Sequence, residues 1–141
     1  MILTEQEVAF LIRQHMGHLA TIGPSGSPQV KPLGFTWNVE LGTIDIAGFN
    51  MAQSAKFRNI AINPKVAFVV DEVSVENAME GTHFLEIRGW AEQIRGIETS
   101  DPHLDSVLIR IHPTRVISWN VDTDGLVFES RDIDTPRREV A

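Results

Sequence analysis

The chain predicts a mainly β fold, an antiparallel barrel or closed sheet with few helices. Two observations predict it. About six strand-like runs are joined mostly by short turns rich in Gly, Pro, Asn and Ser. Only one helical stretch interrupts them, between runs at residues 43–47 and 66–70. A doubly wound fold would need a helix after almost every strand.

Thr4 and Glu7 form a Thr-x-x-Glu capping box ahead of an apolar stripe of Val8, Leu11, Ile12 and Met16. The pattern predicts a helix of about three turns, closed by Gly17. Residues 18–23 read as a strand, residues 24–28 as a turn, and residues 29–37 as the partner strand of a hairpin. Pro32 and Gly34 are awkward inside a regular ladder, so this partner is expected at an edge or bulged, with exposed backbone. A second turn at 38–42 leads into strand 43–47 and completes an expected three-strand meander.

Residues 48–64 are the stretch around which the chain is organised. Met51, Ala52, Ala55, Ile60 and Ala61 give a short helix with Ser54, Lys56 and Arg58 near its front. Unpaired backbone N–H groups and the helix dipole favour an anion there. The cluster reads either as a cradle for a phosphorylated ligand or as a solvated basic helix face. Beyond Asn63-Pro64, residues 65–71 predict a buried strand, 72–82 a polar loop, and 83–94 a long strand in which Gly89 marks a bulge or close approach. After a loop at 96–105, residues 107–119 read as a strand interrupted at Pro113. From Asn120 the chain is acidic and loop-rich up to residues 126–128, and its last residues read as frayed.

Length and composition predict one domain over residues 1–141, with about 120–141 as a partly looped C-terminal extension. A net charge of −7 speaks against a nucleic-acid surface but leaves room for a local basic cluster that binds a small anion. The absence of cysteine excludes disulfides, thiol nucleophiles and cysteine metal sites. His15, His18, His83, His103 and His112 are scattered without ligand spacing, so no metal site is expected. No Gly-x-Gly-x-x-Gly, Walker-type or nucleophile-elbow motif is present, and no catalytic side chain is identified. No run reaches the length of a membrane helix and the start lacks a basic leader, so the expected location is the cytoplasm.

Three stretches in register resemble one known family. Ser54-x-Lys56-x-Arg58-Asn59-Ile60, followed by Asn63-Pro64 and a Val/Phe-rich strand, resembles the phosphate-binding segment of the pyridoxamine phosphate oxidase-like split-barrel flavoproteins. Arg110-Ile111-His112-Pro113-Thr114-Arg115-Val116-Ile117-Ser118-Trp119 is similar to that superfamily's late Arg-Ile-x-Pro-x-x-Val-x-x-Trp strand. Residues 19–23 and 26–30 resemble its first hairpin, so the likeness spans nearly all of residues 4–119. Within the superfamily the pattern is most similar to the branch that uses the deazaflavin coenzyme F420.

The resemblance implies a split β-barrel, antiparallel and Greek-key, of the FMN-binding-like kind. It implies a homodimer with the cofactor cleft between subunits, a small-molecule substrate, and redox chemistry in which the flavin-type ring carries the hydride. By the same resemblance Lys56 would pair with a cofactor phosphate, with Ser54 and Asn59 hydrogen-bonding nearby. Arg58 matches a basic position but points elsewhere on the helix, as if to brace the dimer. Gln29, Val30, Lys31 and Pro32 would run alongside the ring, Trp119 would wall the cleft, and Arg131 would reach the site from the C-terminal segment. The Arg-x-His substrate signature of true pyridoxamine phosphate oxidases is not matched, which points away from vitamin metabolism.

The leading expectation is therefore an F420-dependent oxidoreductase acting on a small conjugated substrate. The alternatives are an FMN-binding oxidoreductase or flavin reductase-like protein, and a non-catalytic carrier of either cofactor.

Overall fold

The structure, a computed structural model, describes residues 2–73, 81–121 and 127–133. The expected loop at 72–82 falls partly outside these residues, and the expected frayed end at 134–141 wholly so.

Helix α1 (Glu5–Arg13) begins as its capping box requires. The Thr4 hydroxyl accepts from the Glu7 amide at 3.1 Å and the Glu7 carboxylate accepts from the Thr4 amide at 2.9 Å. The helix stops at Arg13, short of Gly17, because Gln14 turns to extended backbone and its side chain donates to Glu72 at 2.9 Å. Gly17 instead opens the first strand, where an added Cβ would meet the Phe68 ring at 2.2 Å.

Among the described residues eight strands form one antiparallel sheet: β1 (Gly17–Ile22), β2 (Pro28–Leu33), β3 (Thr36–Asn38), β4 (Thr43–Ala47), β5 (Lys65–Val73), β6 (Thr82–Arg95), β7 (Val107–Trp119) and β8 (Phe128–Asp132). Their order is β2-β1-β5-β6-β7-β4-β3. Strand β6 takes one edge of β7, while β4 and β8 share the other, at Leu108–Ile111 and Arg115–Trp119 respectively. The run β5-β6-β7-β4 is a Greek key, since β4 precedes the meander in sequence yet lies beside its last strand. Among the described residues the second helix, α2 (Ala55–Ile62), carries the long connection from β4 to β5.

Strands β2 and β3 stand at opposite ends of this order, yet only Gly34 and Phe35 separate them. Three residue steps span at most about 11 Å. The sheet must therefore roll until its two edges nearly meet, and the unpaired seam between them is the split of the barrel. This corrects the expectation of one strand over 29–37 and a three-strand meander. Pro32 has no amide to give a ladder, and Phe35 turns its ring edge-on to Phe68 at a centroid distance of 5.0 Å. The expected edge character of β2 is present, since Pro28 to Pro32 are all exposed.

Strands β6 and β7 are the long spine. Gly89 pairs with Pro113 and Arg88 with Arg115, so Thr114 is an extra residue and the ladder shifts there. A Cβ at Gly89 would lie 2.0 Å from the His112 carbonyl oxygen, which only glycine avoids. The bulge absorbs Pro113, and β7 runs through it unbroken. Strand β8 went unforeseen in the loop-rich reading of the C-terminal segment. Its Arg131 donates to both oxygens of Glu7, at 2.6 Å to Oε2, and to the Ile2 carbonyl at 3.1 Å. The Glu7 carboxylate is fully buried. Burial pushes its pKa up, but the Arg131 pairing and the Thr4 hydrogen bonds together hold it below the ordinary value of 4.5.

Two outcomes test this frame. Gly89→Ala should lower stability by about 2–4 kcal/mol in a urea melt, because backbone rather than a flexible side chain must move. Arg131→Ala should cost about 2–4 kcal/mol, less than for a fully buried pair because Arg131 keeps 37% of its side chain exposed. Glu7's depressed pKa gives stability that is complete above 4.5 and is lost as pH falls through the folded value. Arg131→Ala should therefore flatten the acid limb of the stability profile, and an unchanged limb would contradict the pairing.

Candidate functional site

The site grows from the start of α2. Ser54 is its N-cap: the hydroxyl accepts from the Phe57 amide at 3.3 Å and donates to the Met51 carbonyl at 2.7 Å. The Ser54 carbonyl accepts from the Arg58 amide at 3.2 Å. The other first-turn amides, those of Ala55 and Lys56, belong to residues that line a cavity of about 130 Å³.

The opposite wall is the β1–β2 hairpin. Side chains alternate along a strand, so Gln29 and Lys31 face α2 together with their register partners Thr21 and Leu19. Two ammonium groups, Lys31 and Lys56, thus share one small cavity whose lining contains no carboxylate. Burial first, and then the positive charge of Lys31, hold the Lys56 ammonium below the ordinary lysine value of 10.5. Beneath them Asn59 is buried, its amide donating to Thr21 Oγ1 at 3.0 Å and to Gln29 Oε1 at 2.9 Å. Asn59 therefore fixes α2 against both strands of the hairpin and sets the direction of Gln29. The arrangement is electropositive, phosphate-sized and open at an edge strand.

Of the residues singled out in sequence, the structure brings together Gln29, Lys31, Ser54 and Lys56, with Asn59 as their support. Arg58 is exposed and donates to the Gln53 carbonyl instead of lining the cavity. Val30 lies on the other face of β2, in a shallow cavity of about 200 Å³ shared with Ala20, Ala67 and Phe84. Pro32, two positions on, shares that face. Trp119 ends β7 between Phe84 and Phe128. Arg131 is bound to Glu7. Thr21 and Leu19, in sequence part of the family-like first hairpin and not of the site, also line the cavity, because the 24–28 turn sets the register that pairs them with Gln29 and Lys31. Among the described residues no group of three His, Asp or Glu side chains is arranged to hold a metal. Among the described residues no helix is long and apolar enough to cross a membrane.

A family model described as pyridoxamine 5'-phosphate oxidase matches residues 3–120. A 5a,11a-dehydrotetracycline/5a,11a-dehydrooxytetracycline reductase of Streptomyces rimosus is 40% identical over 132 residues, covering 92% of each chain. A conserved hypothetical protein of Mycobacterium tuberculosis superposes with a TM-score of 0.70 at 24% identity, covering 96% of both chains. A solved F420 reductase superposes with a TM-score of 0.60 at 27% identity, over 79% of this chain and 96% of its own.

The geometry makes two predictions. Lys31→Met should raise the Lys56 pKa toward 10.5, read by NMR titration of the Lys56 side chain, because the like charge is gone while the burial remains. Asn59→Ala should cost about 1–3 kcal/mol in denaturant melts, since it leaves Thr21 and Gln29 without their partner.

Proposed function

The chain belongs to the pyridoxamine 5'-phosphate oxidase family, and on that premise we propose that it binds the deazaflavin coenzyme F420 and uses it to reduce a small conjugated organic molecule. It is an oxidoreductase, as its named reductase relative is. The observation that carries the coenzyme reading is the pairing of Lys31 and Lys56 across the N-terminus of α2. The donor set fits a phosphate diester: two ammonium groups, free first-turn amides and a dipole of matching sign. The likeness to an F420 reductase supports the deazaflavin. FMN is the second reading, because its phosphate suits the same cradle.

In this proposal Lys31 and Lys56 bind the phosphate, Ser54 holds the helix turn that presents the amides, and Asn59 keeps Gln29 in position. Gln29 and the exposed backbone of β2 face the rest of the coenzyme. When bound, the ring supplies the hydride, so the protein's part is to bind, orient and exclude water. Arg131 and Arg58 have structural duties instead, at Glu7 and Gln53. A homodimer belongs to the proposal. The outer face of the sheet carries Val30, Ala67, Phe84, Trp119 and Phe128 beside His18 and Glu86, with Val30 and Phe128 each about 60% exposed. A second subunit on that face would cover it and would wall the cleft beside β2. The dehydrotetracycline named for the reductase relative is a conjugated polycycle, which supports a flat substrate.

Titration with F420 and, separately, with FMN tests the reading. Lys56→Ala should weaken binding of the preferred coenzyme by about 1.5–3 kcal/mol, tenfold or more. Binding of neither coenzyme, or binding indifferent to Lys56, would overturn it. A dimer by light scattering is the accompanying expectation, and a monomer at working concentration would remove the shared cleft.

A further inference from the structure

A larger cavity, about 540 Å³, lies away from the cradle between α1 and the β3–β4 loop. That volume is in the range of small-molecule sites, about 300–1,000 Å³. We propose that this groove is a second binding site, and that its ligand is an amphipathic cation: a flat apolar ring system bearing one ammonium or amidinium group. The site shares no lining residue with the Lys31/Lys56 cradle, so it stands whether or not the coenzyme reading does.

The chemistry follows from the walls. Ile2, Val8 and Ile12 come from the α1 side and Val39 and Leu41 from the loop, with Trp37 of β3 also in the lining. Several of these apolar groups are left open: Ile12 is 61% exposed and Leu41 52%. The only ionisable residues in the lining are Glu5 and Glu40. Neither takes part in an ion pair or hydrogen bond among the described residues. Glu5 lies in the first turn of α1, where an acid suits the dipole. Glu40 has no such duty in its loop, which is fixed instead by Asn38: its carbonyl accepts from the Gly42 amide at 2.8 Å and its side chain from the Leu41 amide at 3.0 Å. The loop also needs Gly42, whose φ is +67° and whose added Cβ would strike Ile2 at 2.6 Å.

Two exposed, unpaired carboxylates in an otherwise aliphatic and indole lining select the ligand's sign. An anion is repelled, and a neutral ring leaves both carboxylates without a partner. A cation with an apolar body satisfies both halves, its charge the carboxylates and its rings the aliphatic and indole lining. The same charges speak against a second copy of this chain as the occupant. A two-fold contact brings a patch against itself, which would set Glu5 and Glu40 against their own equivalents.

The test uses proflavine, a flat tricyclic cation, and anthracene carboxylate, an anion of the same ring number. Proflavine should bind at micromolar concentration with one molecule per chain and quench Trp37 fluorescence, and the anion should bind at least about tenfold more weakly. The double variant Glu5→Gln/Glu40→Gln should lose about tenfold in proflavine affinity. Ala9→Trp fills the groove from an exposed position of α1 and should abolish binding. Lys56→Ala should leave it unchanged. Equal affinity for the two dyes, binding indifferent to Ala9→Trp, or displacement of proflavine by F420 would each overturn the proposal. So would an Ala9→Trp variant that changes the mass of the protein in solution, because the groove would then be a subunit contact.

Discussion

The two-residue link between β2 and β3 constrains everything else in this molecule. Because Gly34 and Phe35 alone connect the two ends of the sheet order, the sheet is obliged to roll up, and among the described residues its two end strands do not pair with one another. Among the described residues the seam leaves β2 with one ladder partner, β1, and its other edge open. An open edge is an aggregation hazard when it is long, flat and apolar. Here it is short, carries two prolines and presents a lysine. One face of β2 then looks at α2 and the other lies on the outer side of the sheet, so the same six residues serve a basic cavity and a surface where Val30 and Phe84 sit with His18 and Glu86.

Against a net charge of −7, the cradle concentrates positive charge through proximity rather than through number. Lys56 lies half-buried beside Lys31, and both the desolvation and the repulsion disfavour its charged state when nothing is bound. An anion seated between the two ammoniums relieves both costs, so part of its binding energy comes from discomfort already present in the free protein. The opposite arrangement stabilises the far side of the barrel. There Glu7 and Arg131, 124 residues apart in sequence, neutralise one another and tie α1 to β8.

How much of this was legible in the sequence depended on how local each cause is. The capping box of α1, the turn at 24–28, the edge character of β2 and the tight approach at Gly89 are written in neighbouring residues, and the structure has all four. The break after Leu33 was not legible, because it depends on Phe35 reaching Phe68 across the core. Strand β8 was hidden because Phe-Glu-Ser-Arg-Asp has little strand character of its own and is held by β7 and by Glu7. In the site, Ser54 and Lys56 were readable from helix position. Lys31 emerged as a neighbour of Lys56 only once the hairpin register was known, and Asn59 as a brace only once its two acceptors were.

The central claim is that the Lys31/Lys56 cavity reads a phosphate. The most direct measurement compares F420 with its deazaflavin chromophore lacking the phosphate, each titrated against the native protein and against a Lys31→Ala/Lys56→Ala variant. The account predicts that the native protein prefers the phosphorylated form by about a hundredfold, roughly 2.7 kcal/mol, and that the preference nearly vanishes in the variant. Equal affinity for the two forms in the native protein, or a preference that survives the loss of both lysines, would contradict it.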